Sequence, residues 1–178
     1  AVALTESLQA DAEPIRNDMR RAVYDIFVSN IEKTIAPLEA VTIYNEFTAL
    51  LPPGRDGSIA ALNFADFLIR IDLLEKAQKI IEEQIAGGFI SQNDLPQLGA
   101  KLGAIYLLDR QPAQAIAALK KTSYGGVENS VYAERELLRA RALSQMNQTQ
   151  AAIAVLSALH SSDARRMTAD VLWRARKG

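Results

Sequence analysis

Internal repetition constrains the fold of this chain more than any other feature of its sequence. Four alanines recur at spacings of 37, 38 and 37 residues: Ala40, Ala77, Ala115 and Ala152. Four residues after each alanine stands a large apolar residue: Tyr44, Ile81, Leu119 and Leu156. Nine residues before each stands another: Ile31, Leu68, Tyr106 and Leu143. A period in this range predicts stacked repeats that share one continuous core, because a single repeat cannot bury both of its faces.

The repeated segments have the pattern of helices. The chain contains 29 alanines and 21 leucines, which favours helix. Apolar residues recur three and four positions apart, and no period-2 run bounded by turns is present. Prolines begin several of these stretches, and paired prolines or glycines separate others. The sequence predicts helices at about 13–33, 37–50, 58–71, 74–86, 92–109, 112–122, 129–146, 149–160 and 163–176.

Small residues predict a tight seam within each repeat. Twelve residues before each alanine of the series stands a small or modest residue: Val28, Ala65, Gly103 and Ala140. Opposed small residues let two antiparallel helices approach closely, while larger neighbours fill the surrounding space. We therefore expect Ala115 to face Gly103 across the seam, and Gly99 and Gly103 to mark a close helix crossing.

Composition excludes several classes of function. The chain has no cysteine, so disulfides and thiolate chemistry are excluded, and its single histidine, His160, excludes a multi-histidine metal site. The net charge of −1 and the lack of a dominant basic stripe argue against nucleic acid as the main partner. No apolar run is long enough to span a membrane. No signal peptide is visible, and the absence of cysteine fits cytoplasm and periplasm alike.

Candidate catalytic groups also have ordinary structural interpretations. A catalytic role for His160 would require an activated nucleophile beside it, and Ser161 or Ser162 could supply one. The structural interpretation is that a histidine at the C-terminal end of a helix is favoured by the helix dipole. The carboxylates are spread over separate helix faces. Asp163 is a candidate cap for the last helix. We expect no catalytic, metal or cofactor site.

The repeat resembles the tetratricopeptide repeat (TPR), in which a large–small–large pattern on the first helix precedes an alanine pattern on the second. The third repeat carries Leu102, Gly103, Tyr106, Ala115 and Leu119 in that register. The period exceeds the family's usual length of roughly 34 residues. The fourth repeat has Arg139 where a large apolar residue is expected. The resemblance implies an all-α fold, a right-handed α-solenoid of about four TPR-like hairpins plus a C-terminal helix.

In this interpretation residues 1–12 are an N-terminal extension, and residues 13–178 form a single TPR-like domain. Its repeats lie at about 20–53, 57–90, 94–127 and 129–160, followed by a final helix at 163–176. That helix is either a solvating cap or the first helix of a fifth repeat. The chain also looks like segments of large bacterial TPR proteins.

The resemblance implies a function in protein binding. In TPR arrays the first helices line a concave groove that takes a peptide or protein partner. Carried onto this sequence, the partner-binding positions are Asp25, Ser29, Lys33, Asp66, Arg70, Gln97, Leu107, Leu108, Glu134, Arg141 and Gln145. We therefore expect a non-enzymatic interaction scaffold without cofactors, whose oligomeric state the sequence leaves open. The alternative is a structural spacer or self-association module within a longer polypeptide.

Overall fold

A computed structural model of the chain describes residues 54–126 and 128–176, together with individual residues between 14 and 45. All regular structure in these residues is helical and none is strand, so the all-α prediction is confirmed there. Seven helices follow one another from residue 55, and their ends lie within three residues of the predicted ones. They are α1 (Arg55–Arg70), α2 (Leu74–Gly87), α3 (Leu95–Leu108), α4 (Pro112–Lys121), α5 (Asn129–Gln145), α6 (Thr149–Ser157) and α7 (Ser162–Ala175).

The predicted first repeat lies largely outside the described residues. The predicted extension at 1–12, most of the predicted helices 13–33 and 37–50, and Ala40 belong to this part. The individually described residues of those two helices are helical, and Ala36, which lies between them, is not.

The chain divides into two compact units, residues 1–89 and 90–178, and the boundary falls at the end of the predicted second repeat. In the first unit, α1 and α2 pack together as a helix hairpin. In the second unit, α3 pairs with α4, and α5 packs on both of them. Helix α6 pairs with α5, and α7 packs on α5 and α6.

The turn inside each hairpin has the same geometry in all three described repeats. Each first helix ends before a residue in the left-handed region, namely Asp72 (φ 61°), Arg110 (φ 56°) or Asn147 (φ 60°). The N–H of the next residue donates to the carbonyl oxygen five residues back, at 2.7–2.9 Å. This is the hydrogen bond of a Schellman motif. These turns recur at the alanine spacing, so the three described hairpins end their first helices in the same way.

The alanine series forms the centre of each hairpin. Ala77, Ala115 and Ala152 are all 0% exposed, and the large residues four positions later are buried as well. A Cβ atom added to Gly103 would lie 3.3 Å from Leu119 Cγ and 3.7 Å from the carbonyl oxygen of Ala115. The prediction that Ala115 and Gly103 face each other in the seam is therefore confirmed.

The α1–α2 hairpin buries two aromatic rings on α1. Phe64 and Phe67 of α1 are both 2% exposed, and their ring centroids lie 6.0 Å apart at an interplanar angle of 22°. Offset stacking of this kind adds to the hydrophobic contribution of burying the rings. The last hairpin and α7 share an aliphatic core that includes Leu156, Ala164 and Val171.

Candidate functional site

The predicted partner-binding positions in the first unit are only partly described. Asp66 is half-buried and Arg70 is exposed, and the two lie four residues apart on one face of α1. Asp25 is exposed, whereas Ser29 and Lys33 lie outside the described residues. All three described side chains belong to helical residues, as the prediction requires.

Helix α3 presents two of its three predicted positions to solvent. Gln97 and Leu108 are exposed, and Leu108 has 62% of its surface accessible. They are eleven residues apart, which is close to three full helical turns, so they share one face. Leu107 does not belong with them. It is 5% exposed, because successive residues of a helix point about 100° apart and Leu107 therefore points away from the face of Leu108, into the interior.

Helix α5 presents all three of its predicted positions on one face. Glu134, Arg141 and Gln145 are exposed, and seven or four residues separate neighbours in this series. The side-chain amide of Gln145 donates from Nε2 to the carbonyl oxygen of Leu107 at 3.4 Å. This contact brings the end of α5 beside the end of α3. We call the set Gln97, Leu108, Glu134, Arg141 and Gln145 the first-helix face.

A cleft of about 440 Å³ continues this face between α5 and α7. We call it the α5–α7 cleft. Two of its lining residues come from the end of α5 and the rest from one side of α7: Arg141, Ser144, Asp163, Arg166, Met167, Asp170, Val171 and Arg174. Helices α3, α5 and α7 therefore contribute neighbouring side chains to the surface of the second unit.

The charges of the α5–α7 cleft are unevenly paired. On α7, Arg166 pairs with Asp163 at 2.5 Å and Arg174 pairs with Asp170 at 3.0 Å. Arg141 across the cleft makes no ion pair with any described residue. The cleft therefore holds three guanidinium groups and two carboxylates, and Arg141 is the guanidinium without a carboxylate partner among the described residues.

A buried arginine, which the sequence reasoning missed, joins three helices beneath the surface of the second unit. Arg135 of α5 is 8% exposed. Its guanidinium donates to the carbonyl oxygen of Pro96 at 2.5 Å, to Thr122 Oγ1 at 3.2 Å and to the carbonyl oxygen of Leu119. Burial lowers the pKa of Arg135 from its usual value, and the adjacent Glu136 carboxylate opposes that shift.

Gly99 makes room for this junction. A Cβ atom at Gly99 would lie 1.6 Å from Thr122 Oγ1 and 3.0 Å from an Arg135 nitrogen. The predicted close crossing at Gly99 and Gly103 is thus confirmed, although a polar group rather than an apolar one fills it at Gly99. The sequence marks this place only through Gly99, whose lack of a side chain leaves space that Thr122 and Arg135 occupy.

The groups around His160 are engaged in helix capping. His160 is exposed between α6 and α7, and it lines a separate cleft of about 280 Å³ with Ser157 and Arg165. The Ser161 hydroxyl caps α7, because its Oγ accepts the backbone N–H of Ala164 at 3.1 Å. The predicted cap Asp163 is therefore wrong: it lies inside the helix and pairs with Arg166.

Within residues 54–126 and 128–176 and the single residues before them, no three acidic or histidine side chains converge as a metal site would require. In the same part of the chain, no helix combines the length and the apolar character needed to cross a bilayer.

Comparison with protein-family models, with curated proteins and with solved structures finds no significant match to this chain.

Proposed function

We propose that this chain is a TPR-like right-handed α-solenoid that serves as a non-enzymatic scaffold and binds a peptide or protein through its first helices. The observation that carries the proposal is the first-helix face with its continuation in the α5–α7 cleft. Neighbouring first helices place exposed polar, charged and apolar side chains side by side there. A groove of mixed chemistry suits recognition of an extended or helical peptide.

The repeat geometry supports the fold part of the proposal. Identical Schellman turns, the fully buried alanine series and the packing of α5 on both helices of the preceding hairpin are the features that a stacked helical repeat requires. The exposure of the first-helix face supports the functional part, because a pure spacer would bury that surface against its neighbours.

Panning a random peptide display library against the whole chain tests the proposal. Peptides recovered from the library should bind in fluorescence polarisation, and Leu108→Glu combined with Gln145→Glu should weaken them about tenfold or more, since anchors at a peptide interface are worth about 2 kcal/mol each. The matched control is Gln114→Glu combined with Ala117→Glu, two exposed positions on the second helix α4. Absence of binding peptides, or equal losses from both double variants, contradicts the proposal.

Self-association is the second candidate, and one observation favours it. Leu172 and Trp173 near the end of α7 are 48% and 57% exposed, which gives an apolar surface that a second copy of the chain would cover. Sedimentation analysis distinguishes the two functions. A dimer that Leu172→Asp dissociates, in a chain that recovers no library peptides, supports self-association instead of peptide binding.

A further inference from the structure

The α5–α7 cleft has more hydrogen-bond donors than its own carboxylates can use. Each guanidinium offers five N–H donors in a planar fork, whereas each carboxylate has two oxygen atoms. Three arginines therefore present far more donors than Asp163 and Asp170 can accept. One end of the first-helix face therefore has unused N–H donors and an excess of positive charge, although the net charge of the whole chain is −1.

The two ion pairs on α7 do not block this capacity. The Arg166 and Asp163 side chains are 80% and 60% exposed, and those of Arg174 and Asp170 are 53% and 51% exposed. Ion pairs this open to water contribute little to stability, so the guanidinium groups exchange partners at low cost. Arg141 can receive a ligand carboxylate without first breaking an ion pair, because it makes none with any described residue.

The distance between the two arginines of α7 indicates how far apart two carboxylates of a bound peptide should lie. Arg166 and Arg174 are eight residues apart, which is about 12 Å along a helix axis. In an extended peptide, residues i and i+4 point to the same side and lie about 13 Å apart. Between the two arginines, half-buried Met167 and buried Val171 form an apolar floor. A peptide with two carboxylates at that spacing and an apolar side chain between them matches both features.

We infer that the α5–α7 cleft is a recognition site for an acidic peptide, with carboxylate side chains at i and i+4 received by Arg166 and Arg174 and with Arg141 closing the opposite side. This inference rests on the proposed function and names the class of partner. A peptide is favoured over nucleic acid because Asp163 and Asp170 alternate with the arginines. A continuous phosphate backbone would meet both acidic groups, whereas a peptide presents charge only at selected positions.

Three defined probes test the assignment on the whole chain. The first is a fluorescent seven-residue peptide with glutamate at its second and sixth positions, leucine at its fourth and serine elsewhere. The second replaces both glutamates by glutamine, and the third is a single-stranded oligothymidylate. At low ionic strength the acidic peptide should bind about tenfold tighter than the glutamine peptide, because hydrogen bonds between two charged groups are stronger than those to a neutral amide. Added salt should weaken it.

Matched variants locate the site. Arg141→Ala and Arg166→Ala should each weaken the acidic peptide about fivefold or more and leave the glutamine peptide unchanged. The controls are Arg139→Ala, an exposed position on α5 outside the cleft, and Arg165→Ala, which lines the other cleft beside His160. They remove the same charge and should change affinity by less than twofold. Thermal unfolding of each variant shows that the array stays folded.

The outcomes separate this inference from the proposed function. Equal affinity for the acidic and glutamine peptides, equal effects of Arg141→Ala and Arg139→Ala, or preference for the oligothymidylate overturns the acidic-peptide site. If library peptides still bind the first-helix face in that case, the scaffold function stands without it. Failure to recover any library peptide contradicts the scaffold function itself.

Discussion

The α1–α2 hairpin of the first unit and the α3–α4 hairpin of the second have the same seam and the same turn, but different side chains pack around them. In both, a buried alanine marks the seam and a left-handed residue ends the first helix: Ala77 and Asp72 in one, Ala115 and Arg110 in the other. In the first of these hairpins, α1 stacks Phe64 on Phe67. Helix α3 instead carries glycines, and the space at Gly99 receives Thr122 and the guanidinium of Arg135.

The difference separates what a repeat must keep from what it can vary. The seam alanine and the turn set how closely the two helices of one hairpin approach each other. The side chains packed around the seam only have to fill the remaining volume and to form hydrogen bonds with any polar atoms buried there. An aromatic pair achieves this through apolar contact, and a buried arginine achieves it through three oxygen acceptors.

The largest expected effect tests whether the two hairpins share the seam. Ala77→Glu and Ala115→Glu each bury an unpaired carboxylate at a position that is 0% exposed, so each should lower the free energy of unfolding by about 3–5 kcal/mol. Chemical denaturation measures both. Ala117→Glu, on the exposed side of α4, should cost less than about 0.5 kcal/mol. A large loss at one seam alanine and none at the other would show that the two hairpins are built differently.

An intermediate effect tests the polar filling of the second unit. Arg135→Met keeps much of the side-chain volume but leaves the carbonyl oxygens of Pro96 and Leu119 without this donor, so we expect a loss of about 1–3 kcal/mol. Arg139→Met on the same helix breaks only the partly exposed pair with Glu136 and should cost less than about 1 kcal/mol. Equal losses in urea unfolding would mean that the buried junction contributes nothing beyond a surface ion pair.

The smallest effect concerns the turns that the two units have in common. Left-handed backbone is unfavourable for most side chains and free of steric cost for glycine. Arg110→Gly should therefore raise the free energy of unfolding by about 0.5–1 kcal/mol, because relief of roughly 1–2 kcal/mol of left-handed strain is partly offset by the extra entropy that glycine loses on folding. Asn147→Gly should raise it less, because asparagine tolerates this conformation. Melting temperatures of the two variants rank the gains, and a destabilising Arg110→Gly would show that its side chain makes a compensating contact.

The periodic part of the architecture was open to prediction from sequence, and the polar part was not. Helix ends and the burial of Ala77, Ala115 and Ala152 follow from local propensity and spacing. Leu107 was misplaced because neighbouring leucines carry no sign of which one turns inward. Arg135 was missed because a charged residue on a helix is ordinarily solvated. Its burial depends on acceptors 39, 16 and 13 residues away, which no local pattern reveals.

The Arg135 junction also bears on how the second unit opens. Stacked hairpins have mostly local contacts, so in principle each can fray and reclose by itself. One guanidinium here binds the start of α3 and the end of α4 from its place on α5. If α5 detaches, α3 and α4 both lose the hydrogen bonds that Arg135 donates. If the start of α3 or the end of α4 frays, Arg135 loses an acceptor. We therefore expect the amide hydrogens of helices α3 to α5 to exchange together, as one cooperative block.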